Sequence, residues 1–318
     1  MSGPGPGLEP CRLDPVASLN RARLGGREAR GLLSAPALRE LAVAAGLRPD
    51  GPLRSYLDRR LTDGVAAAVE VATEFGSRLG RLLAALRAGD RSVKPEWDAS
   101  WWDRWTGTTT VWLGGGLCAG AFGTLVAERA AALVGPGCRV VVAPDPADLP
   151  LVGAAQLAAR SAGPALVLDL GHTLVKRAVA SYEDGRLASL RRLAPVPAPA
   201  EDTEGGPLAD AVAAIVAAAW TDAGRPPGPA VASMAAYVKD GRPVRVPLGT
   251  YTRLADVPGR LPGRLRALVG ADLSLVLVHD GTAAAQAVPP DPHAVVVLLG
   301  SSIGVGYPHP CPDLARPP

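Results

Sequence analysis

Residues 167–176 read VLDLGHTLVK, a short apolar run that stops at Asp169 and continues as Gly-x-Thr-x-x-Lys. A buried strand has no use for a carboxylate unless something is bound or paired where the strand ends. Gly171 lets the backbone turn sharply beside a ligand, because it carries no Cβ to obstruct the approach. Thr173 offers a hydroxyl and Lys176 a cation, while the N–H groups of such a turn can converge on an anion. Asp169 is then a candidate anchor for Mg²⁺, which favours a carboxylate together with phosphate oxygens. The alternative is a plain β-turn with a solvated aspartate, and the stretch alone leaves both open.

The same device recurs at other strand ends. LLGSSIGVG (298–306) is an apolar run followed by Gly300, the hydroxyls of Ser301 and Ser302, and Gly304. VWLGGG (111–116) ends in Gly114, Gly115 and Gly116 before a helical pattern, so that a flat group has room against bare backbone. LVLVHDGTAAA (275–285) brings Asp280 to the end of a deep strand, at the start of a helix of small residues. A carboxylate there is suited to take a proton from a substrate hydroxyl; its alternative role is to cap the helix.

Between these ends, strand-like and helix-like patterns alternate. ALVLDLG, KRAVASYE and GRLASLRRL read as three adjacent strands, the last two joined at Asp184-Gly185. LADAVAAIVAAAW and LPGRLRALVG read as helices, PAVASMAAYV and AVVVLLG as strands. Earlier, SAPALRELAVAAGL reads as a helix capped by Ser34 and stopped at Gly46, and 63–88 as a longer one. Near-continuous Val/Leu strands between helices argue for α/β layers. The tryptophans of 97–105 precede a strand, at the end opposite to where open α/β sheets bind ligands. They are therefore read as packing or as a subunit interface, which would make a homodimer.

The bulk numbers restrict the function. The chain has 318 residues, 48% apolar and 20% charged, enough for two domains with real cores. Lys and Arg total 33 against 30 acidic residues, with no basic run, so no nucleic-acid partner is expected. Only Lys94, Lys176 and Lys239 are lysines. The four cysteines are widely spaced, which argues against a zinc site or a disulfide framework. No apolar stretch is long enough to span a membrane. The opening MSGPGPGLEP lacks the regions of a signal peptide, so the expected location is the cytoplasm.

With these pieces assembled, the chain resembles the ROK family of sugar kinases, within the sugar-kinase/actin/heat-shock-chaperone superfamily. DLGHT (169–173) resembles the family's first phosphate motif and EDGRL (183–187) the hairpin turn after it. HDGTAAA (279–285) is similar to the catalytic-aspartate segment and GSSIGVG (300–306) to the second phosphate motif. VWLGGG resembles the adenosine motif and LPLVGAAQLAA (149–159) the closing helix. The order is rotated: the segment that closes a ROK kinase comes first here, at 30–161, and the opening segment follows at 163–306. LLSAPALRELAVAAGL (32–47) likewise resembles a helix that normally follows the second phosphate motif. The resemblance thus implies a circular permutation of two RNase-H-like domains with a central cleft. The adenosine-side domain would be 1–162, completed by 293–318, and the first-phosphate and acceptor domain 163–292.

The resemblance further implies ATP-dependent phosphorylation of a sugar or polyol, with ATP and Mg²⁺ as cofactors. Asp280 would be the general base and Asp169 the water-mediated metal anchor. Gly171, Thr173, Lys176, Gly300, Ser301, Ser302 and Gly304 would cradle the phosphates, and Gly114–Gly116 would border the adenosine. The sugar side departs from the family. RARLGGREAR (21–30) stands where ROK kinases carry a zinc cluster. In GLEPCRL (7–13) Cys11 replaces the sugar-contacting histidine and Glu9 is displaced. PLGTYTRLADV (247–257) replaces the sugar loop, and His172 stands where glycine is usual. A degenerate kinase fold that senses a ligand or scaffolds a partner is therefore the competing expectation.

Overall fold

The computed structural model describes residues 13–158, 163–239, 241–247, 249–257, 260–270 and 273–309; Glu9 and Cys11 lie outside them. The fold is mixed α/β and divides into two compact units. One is built from Val16–Leu149 together with Pro290–Pro308, the other from Pro150–Pro289. Among the described residues, no helix is long and apolar enough to cross a membrane.

The first unit holds a four-stranded sheet in the order Ile303–Gly306, Ala294–Leu299, Thr110–Gly114, Arg139–Val142. The first pair is antiparallel and the other two are parallel. The strand Ala294–Leu299 is buried along its whole length, as its unbroken Ala/Val/Leu sequence requires. The helix Ala35–Ala44 starts where Ser34 accepts a hydrogen bond from the Ala37 N–H, and Gly46 leaves it at φ +78°. The helices Ala66–Arg87 and Gly120–Val134 cross closely through Gly76 and Gly80. A Cβ on Gly80 would sit 2.9 Å from the Ala130 carbonyl oxygen.

The tryptophans resolve into packing. Asp98 caps the helix Ala99–Thr106 through the Ser100 and Trp101 N–H groups. Trp97, Trp101, Trp102 and Trp105 are all buried, and the Trp97 ring stacks on both Trp101 and Trp105. The Trp97 indole N–H donates to the Val16 carbonyl at 2.7 Å. The aromatic run is the interior of a small layer, not an exposed interface, so it gives no reason to expect a dimer.

The second unit holds a five-stranded sheet in the order Leu275–His279, Ala230–Met234, Ala165–Leu170, Leu174–Glu183, Arg186–Pro197. Its first three strands run parallel to one another and the last two return antiparallel. Asp184 and Gly185 both take positive φ (49° and 71°), the conformation a two-residue hairpin turn needs. Ala165–Leu170 is central and buried throughout. Leu166, Leu168 and Leu170 pack with Leu208, Val212 and Val216 of the helix Gly205–Asp222. Ala165 and Val167 face the opposite way, against Leu151, Ala154 and Ala155 of the helix Leu149–Ala158. By the two-residue period of a strand, Asp169 belongs to this second face.

On that face the helix Leu149–Ala158 meets the short helix Asp280–Gln286 with almost no separation. A Cβ built on Gly153 would lie 1.7 Å from the Ala283 carbonyl oxygen. Alanine is intrinsically the better helix former by about 1 kcal/mol, but here the obstacle is backbone and cannot rotate away. Gly153→Ala is expected to lower stability by about 1–3 kcal/mol, as overpacking does. Urea unfolding checks this: a midpoint at or above that of the native chain would contradict the close contact.

Candidate active site

Asp169 is held by the register of the sheet. Its antiparallel neighbour is Lys176 and its parallel neighbour is Ser233, so all three side chains share one row. The Ser233 hydroxyl donates to Asp169 Oδ1 at 2.9 Å, and Lys176 Nζ lies 3.3 Å from Oδ2. With only 9% of the Asp169 side chain exposed, these partners replace the water a carboxylate otherwise needs.

The next turn carries the other residues expected on this side. Gly171 and His172 are partly buried and Thr173 is exposed. A Cβ on Gly171 would meet the Leu174 carbonyl oxygen at 2.9 Å, so this glycine is required by its own turn. The buried Tyr251 closes the turn, its hydroxyl donating to the Gly171 carbonyl at 3.0 Å. Burial and the nearby Asp169 charge both push the Tyr251 phenol upward, so it stays protonated.

Asp280 follows the edge strand Leu275–His279. Contrary to the capping alternative, Asp280 is the first helical residue and His279 is the cap, its Nδ1 accepting from the Thr282 N–H at 3.3 Å. Asp280 Oδ1 accepts from the Gly281 N–H at 2.7 Å and lies 3.1 Å from His279 Nε2. Burial, and then the charge of Asp169, raise the Asp280 carboxyl to about 7; the Gly281 N–H and the His172 imidazole act in the opposite direction. The side chain keeps 21% of its surface. Asp169, Gly171, Thr173, Lys176 and Asp280 thus belong to one end of one sheet. That end is where parallel strands present their carboxyl termini, the usual ligand-binding edge of such sheets.

The remaining expected residues lie in the first unit. Gly300, Ser301 and Ser302 form the turn between two antiparallel strands, and the Gly300 N–H donates to the Ser302 carbonyl at 3.1 Å. Asn20 holds the start of the strand that carries Gly304. Its Nδ2 donates to the Ile303 carbonyl and its Oδ1 accepts from the Ile303 N–H, both at 2.9 Å. The Ala35 N–H donates to the Gly300 carbonyl at 2.7 Å. Gly114 and Gly115 are explained by packing: a Cβ would strike Leu298 and Leu149 at the first, and the Leu299 backbone at the second. Gly116 alone of the three is exposed, with open space where a Cβ would be. Cys118, beside it, is buried and its thiol is pushed up to about 12 by burial, which removes it as a reactive thiol.

Ser233, Tyr251, Asn20 and the capping role of His279 were not marked by the sequence. Each acts through a partner fixed only by register or by a distant loop. Among the described residues, no group of three or more His, Cys, Asp or Glu is placed to hold a metal unaided. A single carboxylate does suit Mg²⁺ that arrives with a nucleotide, since such ions keep most of their water and take one or two protein oxygens. No protein-family model matches this chain, and no curated protein matches it either.

The raised Asp280 carboxyl has a consequence for stability. Between its ordinary value of 3.8 and about 7 the folded state holds a proton that the unfolded chain releases, so stability falls as pH rises through that window. Asp280→Asn resembles the protonated acid and escapes this loss. Urea unfolding is expected to show the variant gaining on the native chain between pH 4 and pH 8. An equal difference at both pH values would mean that Asp280 ionises normally.

Proposed function

We propose that this chain is an ATP-dependent phosphotransferase acting on a hydroxyl of a sugar or sugar-like small molecule in the cytoplasm, of ROK type and circularly permuted. The observation that carries the reading is Asp280, a carboxyl raised to about 7 at the end of a strand beside a second carboxylate. A base works best when its pKa lies near the working pH. As the acceptor oxygen attacks the γ-phosphorus, its proton passes to the Asp280 carboxylate and the bond to ADP breaks. Asp169 would hold Mg²⁺ through water, and the metal would there neutralise phosphate charge. In the second unit Gly171, Thr173 and Lys176 serve the phosphates; in the first, Gly300, Ser301, Ser302 and Gly304 keep the resemblance to a second phosphate motif and Gly116 that to an adenosine motif. Phosphoryl transfer depends mostly on positioning and electrostatics, so few side chains are needed.

The two sheets support an RNase-H-like plan. In the second unit, an antiparallel run of three strands is extended by two parallel strands on the side of its first member. The first unit has a shorter succession of the same kind, one antiparallel pair extended by two parallel strands. There, however, the antiparallel pair comes last in the chain, at 294–306, and its parallel companions come first, at 110–142. That inversion favours a permuted order.

A second reading, a degenerate kinase fold that senses a ligand, is favoured by one contact. Lys176 already lies against Asp169, where the metal would be anchored. Calorimetry with Mg-ATP separates the two readings. The active-kinase reading expects saturable, Mg-dependent binding that Asp169→Ala abolishes and Asp280→Asn leaves intact. In an ADP-release screen over sugars and polyols, Asp280→Asn should then lower turnover by about a hundredfold to ten-thousandfold. Absence of Mg-nucleotide binding at millimolar concentration would give the lead to the degenerate reading.

A further inference from the structure

His279 is buried, and both ring nitrogens are placed against specific groups. Nδ1 accepts from the Thr282 backbone N–H at 3.3 Å. A backbone N–H can only donate, so Nδ1 must carry a lone pair. Burial lowers the imidazole to about 3, so the ring is neutral at ordinary pH. A neutral ring with a lone pair on Nδ1 carries its hydrogen on Nε2. Nε2 is the nitrogen 3.1 Å from Asp280 Oδ1. The ring plane is set by Tyr237, stacked on it with centroids 4.5 Å apart and planes 11° from parallel.

Two of the groups around Asp280 address the same oxygen. The Gly281 N–H and the His279 Nε2 face Oδ1, which turns Oδ2 away from them. We propose that His279 is a positioning residue for Asp280. Fixed as the Nε2–H tautomer by the helix it caps, it presents that hydrogen to Oδ1 and so assigns proton acceptance to Oδ2. This rests on the reading of Asp280 as the base, but the arrangement itself is a property of the protein without substrate.

The test uses ¹⁵N-histidine-labelled full chain, which contains four histidines. Expected is a His279 ring with a lone pair on Nδ1 and a hydrogen on Nε2, unchanged between pH 5 and pH 8. A hydrogen on Nδ1, or titration of the ring within that range, overturns the proposal. A second measurement follows the Asp280 carboxyl by ¹³C in His279→Phe, which keeps the stacked ring but removes both nitrogens. If that variant does not fold, His279→Asn retains the cap and lacks the Nε2 hydrogen. The Asp280 midpoint is expected to move up, because its carboxylate has lost a donor; an unchanged or lowered midpoint shows that His279 only caps. Neither measurement involves ATP, so failure of the kinase reading leaves both outcomes legible.

Discussion

A carboxylate in the middle of a sheet is the constraint on which the second unit depends. Asp169 is 6% exposed, in a strand buried from end to end. Such a charge is tolerated only with partners, since removing it from water without them costs several kcal/mol. Both partners come from neighbouring strands at the same register, a lysine from the antiparallel side and a serine from the parallel side. A one-residue slip of either strand would turn its partner to the opposite face. The charge therefore fixes the pairing, and the pairing brings Asp169 near the strand end where Asp280 begins its helix.

From there the chemistry follows. Asp280 is raised first by its own burial and then by the charge of Asp169, so it holds its proton up to about neutral pH. One is stabilised as an anion by a cation and a hydroxyl; the other is poised to exchange a proton. Two acids in such different surroundings are the usual starting point for assigning separate roles to them. The close approach of Gly153 to Ala283 matters for the same reason, because it seats the helix that carries Asp280. Glycine is used there for space alone.

Much of this was legible in the sequence. The alternation of strands and helices, the Asp184-Gly185 hairpin, the Ser34 cap and both aspartates at strand ends were visible as local patterns. What escaped was set at long range. Ser233 is one hydroxyl in an apolar strand, and its partner Asp169 is 64 residues away. Asn20 sits in an unremarkable loop and meets Ile303 across 283 residues. His279 escaped because a histidine cap has no strong sequence signal, whereas aspartate is a common one. The glycines of 114–116 misled in a different way: two of the three serve the packing of their own strand.

The most direct measurement is the ¹³C titration of the Asp280 carboxyl, without ligand and then with saturating Mg²⁺ and nucleotide. A midpoint near 7 is expected in the free protein, and it should move when Mg²⁺ and nucleotide bind, because both change the charge beside Asp169 that helps to raise it. A midpoint near 4 in the free protein, or one indifferent to Mg-nucleotide, would contradict the coupling of the two carboxylates and the function drawn from it.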